Sequence, residues 1–198
     1  MTKANLTQIA FILDRSGSMS SMRREAVNGF NKFLEAQLSL PGTAKMSFIM
    51  FNDEVEYLTH QVPLLEMVPL RDNMFQPQGN TALDDAMGLT IDRMGKELAQ
   101  TPEEHRPEKV IIAVLTDGEE NASRIYSTQK IAQMIEHQTR KYGWEFIFLG
   151  ASPRTREQAQ ERNFKVEDVH QFMASPEGMS VAMSAVCEEV SKKRRYKH

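Results

Sequence analysis

The amino-acid sequence predicts an α/β fold: a doubly wound, mostly parallel central sheet with one short antiparallel edge strand and helices on both faces. Two observations lead there. Short apolar runs alternate along the chain with longer stretches whose apolar residues recur every three or four positions, the rhythm that right-handed crossovers turn into a doubly wound sheet. The runs are also apolar at successive positions, as strands covered on both faces require.

Residues 6–13 (LTQIAFIL) form the first run and end at Asp14. Over residues 22–38, Ala26, Val27, Phe30, Phe33, Leu34 and Leu38 draw the single apolar stripe of a packed helix, which Pro41 and Gly42 stop. Residues 45–51 (KMSFIMF) read as a second strand, and residues 55–59 follow the Asn52–Asp53 turn closely enough to pair with it as an antiparallel edge. A polar, Pro-punctuated connection runs to Gly79. Thr81 then opens a helix marked by Leu83, Ala86, Met87, Ile91, Met94 and Leu98, with Asn80 or Thr81 as its cap and Asp84 and Asp85 at its positive end. Residues 109–115 (KVIIAVL), apolar and β-branched, predict a central strand closed by Thr116, Asp117 and Gly118. A helix over residues 127–141 turns Ile131, Met134 and Ile135 inward, and residues 144–149 (WEFIFL) make the next strand. A short helix after Pro153, a short strand at 169–172 and a helix over 177–190, with Met179, Met183, Val186, Cys187 and Val190 on one side, complete the chain.

The composition, 40% hydrophobic and 26% charged over 198 residues, is that of one globular domain spanning 1–198, a length that buries roughly 70% of the unfolded surface. Lys and Arg total 24 against 27 Asp and Glu, a net charge of −3, too balanced for a broad nucleic-acid footprint. Cys187 stands alone and cannot form an internal disulfide; residues 1–8 carry no basic segment followed by an apolar signal core. Together these favour the cytoplasm. No apolar run reaches the roughly 20 residues that cross a bilayer, so no membrane association is expected.

Oxygen-bearing residues gather where a doubly wound sheet binds its ligands, beyond the carboxyl ends of the strands. The first run delivers Asp14, Ser16 and Ser18, the second long helix opens at Thr81, and the central strand delivers Asp117. Three hydroxyls and two carboxylates, without His or Cys, suit a hard cation. Mg²⁺ or Mn²⁺ is expected, Ca²⁺ ranks behind them, and zinc matches poorly. Gly17 is expected to provide the tight turn that aims Ser16 and Ser18 at one ion. Two aspartates neutralise a divalent ion and the hydroxyls add no charge, so an open position would favour an Asp or Glu from a partner. Met19 and Met22, directly after this loop, are candidates for an apolar rim.

DRSGS at residues 14–18, GNTAL at 79–83 and LTDGEEN at 115–121 resemble, in order, the three parts of the metal-ion-dependent adhesion site of von Willebrand factor A domains, a Rossmann-like fold. The resemblance covers nearly the whole chain. It implies that Ser16, Ser18 and Thr81 bind metal directly and that Asp14 and Asp117 do so directly or through water. It also implies a protein partner and, for stand-alone cytoplasmic versions in prokaryotes and phages, a setting beside a larger assembly such as an AAA-type ATPase.

Other readings compete. Asp, Ser and Thr after strands commonly act only as caps and turn formers. Asp84, Asp85, Glu119 and Glu120 read as solvated, dipole-matched acids and stay off the ligand set. A metal-dependent hydrolase is the enzymatic alternative, yet no general base is evident. His60, His105, His137, His170 and His198 lack zinc-protease spacing, neither serine sits in a G-x-S-x-G elbow, and no phosphate-binding Lys-Ser/Thr loop occurs. The basic residues 192–198 (KKRRYKH), expected to fray, offer a third reading as a structural subunit or nucleic-acid binder.

Overall fold

A computed structural model describes residues 3–195 of the chain. Six strands form one sheet: β1 (Lys3–Asp14), β2 (Thr43–Phe51), β3 (Val55–Pro63), β4 (Pro107–Thr116), β5 (Glu145–Gly150) and β6 (Val169–Gln171). Their order is β3-β2-β1-β4-β5-β6. All neighbours are parallel except β2 and β3. The chain winds outward from β1 in one direction, then restarts at β4 and winds in the other. The crevice between β1 and β4 is therefore the switch point, where the carboxyl ends of adjacent strands diverge into loops on opposite faces.

Helices α1 (Arg23–Leu38), α2 (Leu83–Gln100), α3 (Thr128–Tyr142), α4 (Thr155–Glu161) and α5 (Pro176–Arg194) cover the sheet. On one face Phe30 and Phe33 of α1 and Met179 and Met183 of α5 pack against Phe11 and Phe48. The rings of Phe30 and Phe48 stack at 4.0 Å and Phe11 meets Phe33 edge-on at 5.0 Å, contacts that add specificity to area burial. On the other face Leu83, Ile91 and Met94 of α2, Ile131 and Ile135 of α3 and Ala159 of α4 bury against Ile12, Val114 and Phe148. Strands with both faces covered in this way explain the continuous apolar runs.

Local chemistry sets the helix ends. Ser127 caps α3 by accepting the Lys130 N–H at 3.2 Å, and Gly143 closes it in the left-handed conformation. Ser175 caps α5 through the Gly178 N–H, with Pro176 in its first turn. Helix α2 departs from expectation. It begins at Leu83, and neither Asn80 nor Thr81 caps it. The Ala82 N–H is held by the Asn52 carbonyl at 2.8 Å, so tertiary bonds replace a local cap.

Of the basic C-terminal residues, Lys192, Lys193 and Arg194 form the last turn of α5. Lys193 pairs with Glu145 at 2.8 Å and Asp168 at 2.7 Å, and Arg194 donates to the Gln37 carbonyl at 2.6 Å. Residues 196–198 of the expected tail lie outside the described residues. Among the described residues no helix is long and apolar enough to cross a membrane.

Candidate metal centre

All five oxygen-bearing residues read from the sequence stand at the carboxyl ends of β1 and β4 or in the loop before α2. Asp14 ends β1 one position beyond the Leu13–Leu115 pair, beside Thr116. After it Ser16 is extended, and a 3-10 helix (Gly17–Met22) begins at once. This break from extended to helical backbone brings the Ser16 and Ser18 Oγ atoms to 3.1 Å, where side chains two apart in a strand diverge. From β4, Asp117 Oδ1 accepts the Ser18 hydroxyl at 2.8 Å. A side chain at Gly118 would begin 3.1 Å from Thr81 Oγ1, so the Thr81 hydroxyl lies against the turn that follows Asp117.

Glycine is needed at a different position from the one expected. Gly17 does not adopt a left-handed backbone, and a Cβ there would make an ordinary 3.5 Å contact. Gly79 has φ +75°, and a Cβ on it would collide with the Asp53 carboxylate. The Gly79 carbonyl accepts the Gly17 N–H at 3.0 Å, and the Gln78 N–H donates to the Arg15 carbonyl at 2.9 Å. Backbone bonds thus clip the loop before α2 onto the loop after β1.

Met19 and Met22 form no rim. They are buried, at 0% and 1% exposure, because the 3-10 helix turns them into the core beneath α1. Ser16 and Thr81 make no side-chain cap to the helices that follow them, so capping does not account for their placement.

Asp14 is fully buried. Its Oδ1 accepts the Ser16 N–H at 2.6 Å and its Oδ2 the Thr116 hydroxyl at 2.6 Å. Burial is the main influence on its carboxyl, pushing the pKa from 3.8 up to about 6 against the opposing hydrogen bonds, with the Asp117 charge adding a smaller upward push. Burial likewise raises Asp117, opposed by the hydroxyl of Ser18. Both acids hold negative charge at a cost in the metal-free protein. Ser18 and Gly17 are exposed whereas Asp14 and Ser16 are buried, so the oxygen cluster opens to solvent on one side only.

Asp84, Asp85 and Glu120 are not the solvated acids expected. Asp84 is 1% exposed, pairs with the equally buried Arg162 at 2.6 Å and accepts the Thr128 hydroxyl at 2.7 Å. Asp85 accepts the backbone N–H groups of Arg124, Ile125 and Tyr126 at 2.8 to 2.9 Å. Glu120 accepts from Ala122, Ser123 and the N–H of Asp84. Glu119 alone is exposed, meeting Ser152 at 2.7 Å.

Two contacts in the site had no counterpart in the sequence reading. The Thr81 N–H donates to Asn121 Oδ1 at 2.9 Å, and the Asn121 N–H donates back to the Thr81 carbonyl at 3.1 Å. Asn121 sits within the third motif, but nothing local reveals a partner forty residues earlier. Elsewhere His60 bridges Ser47 Oγ at 3.3 Å and Glu97 at 2.8 Å. Ser47 is fully buried, which withholds this Ser-His-Glu chain from any substrate. A cleft of about 590 Å³ lined by Ile91, Leu98, Arg106, Tyr142 and Trp144 lies at the amino ends of β4 and β5, away from the oxygen cluster.

Comparison with known proteins bears on the family and the fold. The family model of the von Willebrand factor type A domain matches residues 8–175. Among solved structures, proximal thread matrix protein 1 from the mussel byssus is 16% identical, with a TM-score of 0.66 over 94% of this chain and 46% of its own. Another structure of it, with a zinc-occupied MIDAS motif (metal-ion-dependent adhesion site), is 17% identical, with a TM-score of 0.63 over 93% and 46%. The vWF domain of the type V pili tip protein Mfa5 from Porphyromonas gingivalis is 8% identical, with a TM-score of 0.66 and 97% of both chains covered. The present chain thus spans less than half the length of the mussel protein chain. No curated protein matches it.

Proposed function

The chain belongs to the von Willebrand factor type A domain family, and from that premise we propose that it is a metal-dependent protein interaction module. Asp14, Ser16, Ser18, Thr81 and Asp117 hold one Mg²⁺ or Mn²⁺, and an Asp or Glu of a partner protein completes the shell. The observation that carries this reading is the spacing of the oxygens. Octahedral ligands at 2.0 to 2.1 Å from an ion stand about 2.9 Å from their neighbours. Ser16 Oγ and Ser18 Oγ are 3.1 Å apart, and Ser18 Oγ and Asp117 Oδ1 are 2.8 Å apart. The donor chemistry fits as well. Hydroxyls and carboxylates suit a hard cation, and the mussel byssus protein with a zinc-occupied motif supports divalent-metal use.

A bound divalent ion supplies an electrophilic point for an incoming carboxylate. The residues do the remainder. Asp14, held by the Ser16 amide and the Thr116 hydroxyl, contributes charge from below. Ser16 and Asp117 fix two sides of the cluster, and Ser18 stands at its solvent edge. We extend the reading to a cytoplasmic domain of the prokaryotic or phage type, serving a larger assembly such as one with an AAA-type ATPase.

No observation favours the two rivals. The hydroxyls of Ser16 and Ser18 meet each other and a carboxylate, with no imidazole as base. Lys193 and Arg194 are committed to Glu145, Asp168 and Gln37 instead of facing a polyanion. Calorimetry on chelator-treated protein tests the metal step. Mg²⁺ and Mn²⁺ are expected to bind the wild type and not Asp117→Ala; a wild type that binds neither ends the proposal. Affinity capture in Mg²⁺ and in EDTA tests the grip, which fails if the partner is retained equally in both.

A further inference from the structure

Thr81 and Asp117 come from different elements, and something must fix one against the other. We propose that Asn121 is the positioning residue that does so, setting the place of the Thr81 hydroxyl over the Asp117 turn without touching the ion. This rests on the metal reading above.

The bonds at Thr81 define the role. Its N–H donates to the side-chain oxygen of Asn121 at 2.9 Å, and its carbonyl accepts the Asn121 N–H at 3.1 Å. Both polar backbone atoms of one residue are therefore bound to one other residue, which closes a small ring and fixes translation and rotation together. Thr81 is 4% exposed, so its N–H has few alternative partners. The neighbouring Glu120 holds the first turn of α2 through the Asp84 N–H at 2.8 Å. Residues 120 and 121 thereby clamp the start of α2 onto the segment that Asp117 leads. Gly118 lies between, its Cα facing Thr81 Oγ1. Asn121 Oδ1 is turned to the Thr81 amide, so its bond serves the backbone of Thr81.

Asparagine fits this task in a way that Ala does not. Only the side-chain oxygen reaches the Thr81 N–H; the second bond is backbone and survives any substitution except proline. Asn121→Ala therefore deletes one bond, leaves a buried donor unpaired and frees Thr81 to shift. Residues that orient metal ligands from behind commonly cost about 10- to 100-fold in affinity when removed. Asn121→Asp keeps the acceptor.

The experiment titrates Mn²⁺ alone into chelator-treated protein, reading free Mn²⁺ by electron paramagnetic resonance, with thermal melting in EDTA alongside. Asn121→Ala is expected to bind at least about tenfold more weakly than the wild type. Asn121→Asp is expected to bind as tightly as the wild type or more so, and both variants to melt cooperatively without metal. An Asn121→Ala protein that binds Mn²⁺ like the wild type overturns the inference, as does an Asn121→Asp protein that loses as much as Asn121→Ala. Should Asn121→Ala not fold, Asn121→Asp decides alone, its retained affinity supporting the acceptor role. A wild type that does not bind Mn²⁺ sinks the metal reading itself, whereas wild-type binding with an indifferent Asn121→Ala sinks only the positioning role.

Discussion

Two groups of acids lie at the same end of the sheet and are treated in opposite ways. Asp84, Asp85 and Glu120 are surrounded by donors: a guanidinium, hydroxyls and a run of backbone amides. Asp14 is buried and Asp117 half-buried, neither has a cationic partner among the ion pairs of the described residues, and burial raises the pKa of each. Acids of the first group are structural members, complete as the chain folds. Those of the second carry negative charge that the protein leaves under-compensated, the condition in which a cation gains most. The contrast separates the acids that hold the loops from those proposed to hold an ion, although only a few residues part Asp117 from Glu120.

The largest expected effect comes from breaking the structural group. Arg162→Ala leaves Asp84 buried without its counter-charge, and removing one partner of such a pair costs about 3–5 kcal/mol. Urea denaturation should show that loss, equal in size in EDTA and in Mg²⁺, since the pair does not serve the ion. A loss that appears only in Mg²⁺ would move Asp84 into the binding group. Replacing both partners with apolar residues of similar volume should recover much of it.

A change of opposite sign is expected at Asp14. Its carboxyl titrates near 6 in the fold against 3.8 as the usual value. A raised acid contributes stability below the lower value and loses it as pH rises through the higher. At pH 7.5 the ionised group therefore destabilises the metal-free protein, on the order of 2–3 kcal/mol. Asp14→Asn removes that charge and should raise the melting temperature in EDTA, while abolishing the further rise that Mg²⁺ gives the wild type. A variant that melts lower than the wild type in EDTA would show Asp14 to be structural after all.

These contrasts mark what the sequence could and could not reveal. The strand runs, their alternation with helices and the central place of β4 follow from apolar patterning, because burial on both faces imprints itself residue by residue. The gathering of the five oxygen-bearing residues was legible because strand ends collect at the switch point. Partners distant in sequence were not. Asp85 looks like a solvated helix-start acid until residues 124–126 fold over it, and Met19 looks like a rim residue until the 3-10 helix turns it inward. Gly79 rather than Gly17 has the left-handed backbone, and a side chain there would collide with the Asp53 carboxylate, a contact no local pattern encodes.

The smallest effect needs no mutation. Protons and cation compete for Asp14, so affinity should follow its ionised fraction. With a pKa about 6, nearly all Asp14 is ionised at pH 7.5 and about a tenth at pH 5. The raised pKa of Asp117 acts in the same direction. Mn²⁺ affinity should therefore fall about tenfold between pH 7.5 and 5, where acids titrating at the usual 3.8 would lose almost none. Calorimetry across that range reads the difference directly. A flat profile would place both aspartates with the fully compensated acids and remove the distinction between the two groups.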